Sequence, residues 1–241
     1  MSAAIKGIVW DVGNVLVAWD PSYLYDQLIS DPAKSDWWVR HSFSMEWNLL
    51  GDLGMPYAKA NPLWVERFER DHADQIGEFP AYRELIEAYG RWPQEAHPML
   101  IADSIALRDG LRKKYKTIAL TNFSAENWPK VNAAHGGKVD QFDHVVMSAR
   151  ERVAKPDREI FSLLTHVAET RFGLKMDELL FIDDSAKNVA SAKDFGIAAI
   201  QYNAPEQLRR DFKKLGIDTS GIPSTSELLP GEGLGKLQAI M

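Results

Sequence analysis

Ile8-Val9-Trp10-Asp11-Val12-Gly13-Asn14 is an apolar run that ends on a carboxylate and opens into a turn. Two further runs end in the same way: Ile118-Ala119-Leu120 leads into Thr121-Asn122, and Leu179-Leu180-Phe181-Ile182 leads into Asp183-Asp184. Lys155-Pro156 follows Val153-Ala154. A short apolar run bounded by polar residues reads as a buried strand, so each polar group stands where a strand would end. In open α/β sheets, ligands bind outside the carboxyl ends of the strands. A nucleophilic carboxylate, a hydroxyl, a cation and an acidic pair at that edge are the groups that metal-assisted attack on an anionic substrate requires.

Working outward from these segments, strand-like runs occur near residues 5–10, 116–121, 143–147, 179–183 and 197–202. Helical patterns lie between the later ones. One is expected over 124–134, with Ser124 as N-cap. A second follows Pro156 over 157–171, with Leu163, Leu164, Val167 and Ala168 on one face. A third runs over 185–195 and stops at Gly196, and a fourth runs from Pro205 to a stop at Gly216. Strand–helix alternation of this kind predicts a mainly parallel sheet covered on both faces, a Rossmann-like α/β fold.

Residues 20–98 depart from this rhythm. They show no convincing strand, hold Trp37, Trp38, Trp47, Trp64 and Trp92, and carry helical patterns near 21–30, 57–71 and 80–90. The expectation is an α/β core formed by 1–19 and 99–215, with a helical insert over 20–98 hinged near 19–21 and 96–98. Residues 216–241, rich in Gly, Pro and Ser, read as an irregular, loosely packed extension.

Composition narrows the chemistry. The chain has 241 residues and a formal net charge of -6 with no basic stripe, so neither nucleic acid nor an anionic membrane is expected as a partner. It has no cysteine, which excludes thiolate catalysis, disulfides and Cys-ligated zinc. No apolar run approaches the roughly 20 residues that span a bilayer. A cytoplasmic protein, monomeric or homodimeric, is expected.

The ordered set Asp-x-Gly-Asn (from Asp11), Leu-Thr-Asn (Thr121, Asn122), Lys-Pro-Asp (Lys155) and Phe-Ile-Asp-Asp-Ser (Asp183, Asp184) resembles the haloacid dehalogenase superfamily over roughly residues 5–215. The resemblance implies a hydrolase whose helical insert caps the site. Asp11 would be the nucleophile and Lys155 the neutralising cation. Thr121 and Asn122, with the amides of Val12 and Gly13 and the neighbouring Asn14, would bind the phosphate. Mg²⁺ would be held by Asp11, the Gly13 carbonyl and Asp184, with Asp183 acting through water. The leading expectation is a Mg²⁺-dependent phosphatase of a small phosphorylated metabolite, a sugar phosphate among the candidates, working through an aspartyl-phosphate on Asp11. The alternatives are a 2-haloacid dehalogenase, in which Asp11 attacks carbon, and a degenerate phosphometabolite binder.

One departure matters. Phosphatases of this superfamily mostly carry a second Asp two residues after the first, as general acid and base; here that residue is Gly13. Good leaving groups (p-nitrophenyl, acyl or sugar-1-phosphates) are therefore expected to react faster than alkyl phosphates. If another acid acts instead, His41, His97 and Asp183 are the first candidates. Asn188, four residues after Asp184, is placed to orient the acidic pair or Lys155. Trp47-Asn48 and Arg91-Trp92 are weaker candidates for shaping specificity. Arg40 lies roughly where dehalogenases place a halide-binding Arg, although a surface role is the simpler reading.

Overall fold

The computed structural model describes residues 4–225, 228–231 and 237–241. The chain begins with β1 (Gly7–Trp10) and β2 (Val17–Ala18) and enters a helical unit: α1 (Ser22–Leu28), α2 (Pro32–His41), α3 (Met45–Asp52), α4 (Tyr57–Asp71) and α5 (Tyr82–Arg91). It returns through β3 (Met99–Ile101) to α6 (Ala102–Leu111), β4 (Lys116–Thr121), α7 (Trp128–Ala134), β5 (His144–Met147), α8 (Ser148–Glu151) and α9 (Arg158–Phe172). Then come β6 (Leu179–Asp183), α10 (Ala186–Phe195), β7 (Ala198–Gln201), α11 (Pro205–Lys214) and β8 (Leu228–Pro230).

The five runs read as strands form one parallel sheet in the order β5-β4-β1-β6-β7. Strand β1 lies at its centre, with Trp10 level with Ala119 on one side and Ile182 on the other. One face packs Ile8, Trp10, Leu180 and Ile182 against α6, α7 and α11; the other packs Val9, Ile118 and Phe181 against Phe161 and Leu164 of α9. Burial on both faces explains why these strands read as continuous apolar runs.

The tryptophan-rich stretch closes around its own aromatic core, which includes Trp38, Trp47, Phe68, Leu85 and Tyr89. The two chain crossings into and out of this unit, β2 and β3, pair antiparallel. No helix among the described residues is long and apolar enough to cross a membrane.

Two expectations need correction. The helix expected over 124–134 begins only at Trp128, because Pro129 is tolerated in a first helical turn but not inside a helix. Ser124 lies in the preceding turn, where its Oγ accepts from the Glu126 amide at 3.2 Å. The tail, in its described parts, is not loosely packed. Strand β8 adds to β3 as a third antiparallel strand, with Pro230 at the edge, where its missing N–H costs nothing. Beyond it, Ile240 N and Met241 N donate to Leu28 O at 2.9 and 3.1 Å, and Ser30 N donates to Met241 O at 2.8 Å. Leu237, Ile240 and Met241 pack on the aromatic core of the helical unit. Deleting residues 237–241 is expected to lower Tm by roughly 5–10 °C, at about 0.5–1.5 kcal/mol per lost main-chain bond plus the apolar contacts. An unchanged melting curve would show that the strap adds no stability.

Candidate active site

Strand β1 delivers Asp11 to the carboxyl edge of the sheet, and β6 delivers Asp183 and Asp184 beside it. Carboxylate oxygens of all three lie within 4.8 Å of one another. Lys155 enters from the loop after α8, with its Nζ 2.8 Å from Asp11 Oδ1 and 2.6 Å from Asp183 Oδ2. Its main chain is clamped by Asn122: Lys155 N donates to Asn122 Oδ1 at 2.8 Å, and Asn122 Nδ2 donates to Lys155 O at 2.9 Å. Asn188 Nδ2 donates to both oxygens of Asp183 at 2.9 and 3.1 Å, and the Ser185 amide donates to Asp183 Oδ1 at 2.8 Å. Asp183 is therefore saturated, a fixed anchor for the ammonium.

These groups open onto a cavity of about 550 Å³ between the sheet edge and the helical unit. Its floor includes Asp11, Gly13, Asn14, Asn122, Lys155 and Asp184; Trp19, Asn48, Asp52 and Tyr89 are among the residues of the opposite wall. Val12, Thr121 and Asp183 are buried and do not form part of the wall. The Val12 amide, expected to face a phosphate, already donates to Asp11 Oδ1 at 2.7 Å. The Asn122 side chain is likewise committed, to the main chain of Lys155, while the residue also lines the cavity. Asn14 takes a left-handed φ of 54°, and its Oδ1 accepts from Trp19 N at 2.8 Å, which shapes the turn.

Electrostatically the site is short of positive charge. Three carboxylates surround one ammonium. Burial pushes the Asp11 carboxyl up, to about 8; Lys155 opposes this, and Asp183 and then Asp184 push it further. Asp184 is raised by burial and by Asp183. Burial pulls the Lys155 ammonium down, but Asp11 and Asp183 more than reverse that and hold it charged. Clustered anionic oxygens with too few counter-charges fit a hard divalent cation such as Mg²⁺, which binds carboxylates, carbonyls and water.

The other candidates fall elsewhere. Arg40 pairs with Asp36 on the surface, and neither it nor His41 reaches the cavity; His41 lines a separate pocket of about 150 Å³. His97 does line the main cavity, but its Nδ1 donates to Pro93 O at 2.7 Å, and burial pushes it down to about 4, so it is neutral. Asn48 lines the cavity, whereas Trp47 is core and Arg91 pairs with the exposed Glu87. Asp52 was not anticipated. It is buried, lines the cavity, and is held well above the usual carboxylate range, at about 7, by burial, with Lys155 pulling the other way. The Gly51, Gly54 and Pro56 around it suggest a break, yet α3 runs through Gly51 to Asp52.

Fold and site together define a doubly wound α/β protein with its charged groups at the carboxyl edge of the central strand. A match to the haloacid dehalogenase-like hydrolases covers residues 5–196, and the chain belongs to that family. A HAD family enzyme of Bacteroides thetaiotaomicron is similar over 87% of this chain and 99% of its own, with a TM-score of 0.65 and 21% identity. The same enzyme in complex with magnesium and inorganic phosphate superposes over 83% of this chain and 96% of its own, with a TM-score of 0.62 and 22% identity. The L-2-haloacid dehalogenase of Xanthobacter autotrophicus with chloropropionic acid covalently bound is similar over 89% and 84%, with a TM-score of 0.53 and 19% identity. Among curated sequences, bifunctional epoxide hydrolase 2 of Sus scrofa is 27% identical over 54% of this chain, which spans about a quarter (23%) of that protein. The (S)-2-haloacid dehalogenase of Pseudomonas sp. (strain YL) is 31% identical over 41% of this chain and 40% of its own.

Proposed function

We propose that this hydrolase is a Mg²⁺-dependent phosphatase of a small phosphorylated metabolite, with the helical unit as cap. The observation that carries the reading is the charge imbalance: three clustered carboxylates face one lysine. That arrangement suits a site that takes up a cation with its phosphoryl substrate. Asp11, Asp184 and the Gly13 carbonyl would hold Mg²⁺, with Asp183 behind them. When bound, the ion supplies charge stabilisation to the transferring phosphoryl group. Asp11 Oδ attacks phosphorus and the bond to the leaving oxygen breaks, giving an aspartyl-phosphate that water then hydrolyses. Lys155 neutralises charge on Asp11 and the substrate, and Asn122 and Asp183 keep its ammonium in place.

The named dehalogenases give the second reading. Against it, the described cavity wall carries only Lys155 and Lys187 as cations, with no arginine for a haloacid carboxylate. A panel of phosphorylated metabolites, with Mg²⁺ and with excess chelator, separates the two. Turnover is expected to fall about 10²-fold or more on chelation. Mg²⁺ is also expected to raise the Tm of the wild type but not of Asp184→Ala. Dehalogenation without metal and an inert phosphate panel would reject the proposal.

A further inference from the structure

Position 13 leaves a functional gap. A Cβ built on Gly13 would meet nothing within 4 Å, and Gly13 is not among the positive-φ glycines. Open cavity therefore lies where a side chain with a transferable proton would otherwise stand. The same cavity is lined, from the helical unit, by a carboxyl group, that of Asp52.

We propose that Asp52 is the acid–base group that position 13 lacks, giving its proton to the leaving oxygen and later taking one from the attacking water. This rests on the phosphatase reading above. The balance is simple. As Asp11 bonds to phosphorus and the phosphorus–oxygen bond to the leaving group breaks, the Asp52 proton passes to that oxygen and an alcohol departs. Water then attacks the aspartyl-phosphate and its proton returns to Asp52, while phosphate and the Asp11 carboxylate are released. The net reaction is phosphate monoester plus water to alcohol plus inorganic phosphate.

Several observations single out this residue. Asp52 is only 8% exposed and shares the cavity with Asp11 and Lys155. Among the described residues no cation pairs with it, and its carboxyl accepts one hydrogen bond, from Asn48 Nδ2 at 3.0 Å. It is the last residue of α3, where the helix dipole disfavours an anion. Tyr57 and Tyr89 are the other titratable groups that sense it, both held neutral by burial, while Lys155 draws it toward the charged form. The balance leaves Asp52 near neutrality, where a group serves equally well as acid and base.

Its position is also fixed. Two residues on, Gly54 has a φ of 87°, and a Cβ there would lie 2.4 Å from the Ala149 carbonyl oxygen. The end of α3 therefore presses directly on the α/β core. Asn48 suits both protonation states: its amide N–H₂ donates to the anion, and its Oδ1, buried without a partner, would accept from the acid after a half-turn of the amide. The rival candidates are committed elsewhere, Asp183 to Lys155 and Asn188, and His97 to Pro93.

The test compares p-nitrophenyl phosphate, whose leaving group needs no proton, with a primary alkyl phosphate, both with Mg²⁺. In Asp52→Asn, kcat/KM for the alkyl ester is expected to fall about 10²–10⁴-fold and that for the nitrophenyl ester less than about tenfold. A pre-steady-state burst of p-nitrophenolate should appear, because the second step loses its base. Adding Gly13→Asp to that variant is expected to restore alkyl turnover. Asp52→Asn keeps the shape and removes a penalised charge, so its Tm at pH 8 should match or exceed the wild type's. Asn48→Ala, which leaves the carboxyl intact, should give the same split at roughly tenfold. Equal losses on both substrates, or no loss on either, would overturn the role of Asp52 and leave the phosphatase reading standing. A wild type inert on both substrates would overturn both.

Discussion

Asp11→Asn is expected to lose turnover by on the order of 10⁴-fold or more, while the protein stays folded. An amide cannot serve as the nucleophile, and removal of a nucleophile leaves only what binding and electrostatics supply. The fold should survive. The introduced amide can still accept from the Val12 N–H through its oxygen, as the carboxylate does at 2.7 Å, and one buried carboxylate is gone from an over-acidic cluster. In wild-type enzyme quenched with acid during turnover, intact-mass measurement should find one added phosphoryl group on the peptide containing Asp11, and none in the variant. Wild-type-like turnover of Asp11→Asn would reject a mechanism through this residue.

Lys155→Met carries the second large effect, and it should show in stability as well as rate. The ammonium side chain is 1% exposed and bonds two carboxylates, so methionine of similar length leaves both unpaired. Breaking a buried pair by removing one partner costs about 3–5 kcal/mol. The sign of the pH effect follows from Asp11. Its folded pKa is raised by burial, against the pull of Lys155, so the folded form prefers the protonated carboxyl. Without the lysine that preference strengthens. The part of the destabilisation carried by Asp11 should grow as pH rises through about 8, toward 9, and fade below it, where the carboxyl is protonated in both proteins. Loss of transition-state charge stabilisation should cost about 10²–10³-fold in kcat. Equal Tm values for variant and wild type at pH 8 would contradict the electrostatic account.

The α/β core was legible because its strands are buried on both faces. Runs such as Leu179–Ile182 could hardly be anything else, and Gly196, with its left-handed φ of 112°, ends α10 where the sequence suggested. The grouping of Asp11, Asp183 and Asp184 was readable because they stand at the ends of buried strands; Lys155, which follows the short helix α8 rather than a strand, was readable only from its Lys-Pro-Asp motif. What lay hidden depends on long-range contacts. That the Asn122 side chain clamps the main chain of Lys155, 33 residues away, is visible only in the fold. Helices α2 and α3 are short, and their aromatic residues pack in a bundle whose geometry no single segment specifies. Asp52 resembles any polar residue near glycines, and only tertiary burial makes it unusual. The tail's composition suggested irregularity because a few apolar side chains on an extended segment give no periodic signal, yet Leu237, Ile240 and Met241 suffice to dock it.

The three-stranded ribbon at the crossing has a mechanical consequence. Two lone strands linking two bodies behave as a pair of cords, compliant in every direction. With β8 laid beside β3, the linkage becomes a small plate in the order β2-β3-β8. A plate resists shear in its own plane, since sliding one strand past another breaks the hydrogen bonds of the ladder, but it flexes readily about an axis within that plane. Such a linkage favours tilt over shear between the two units. With the end of α3 pressed on Ala149, such a plate holds Asp52 over the cavity that it shares with Asp11.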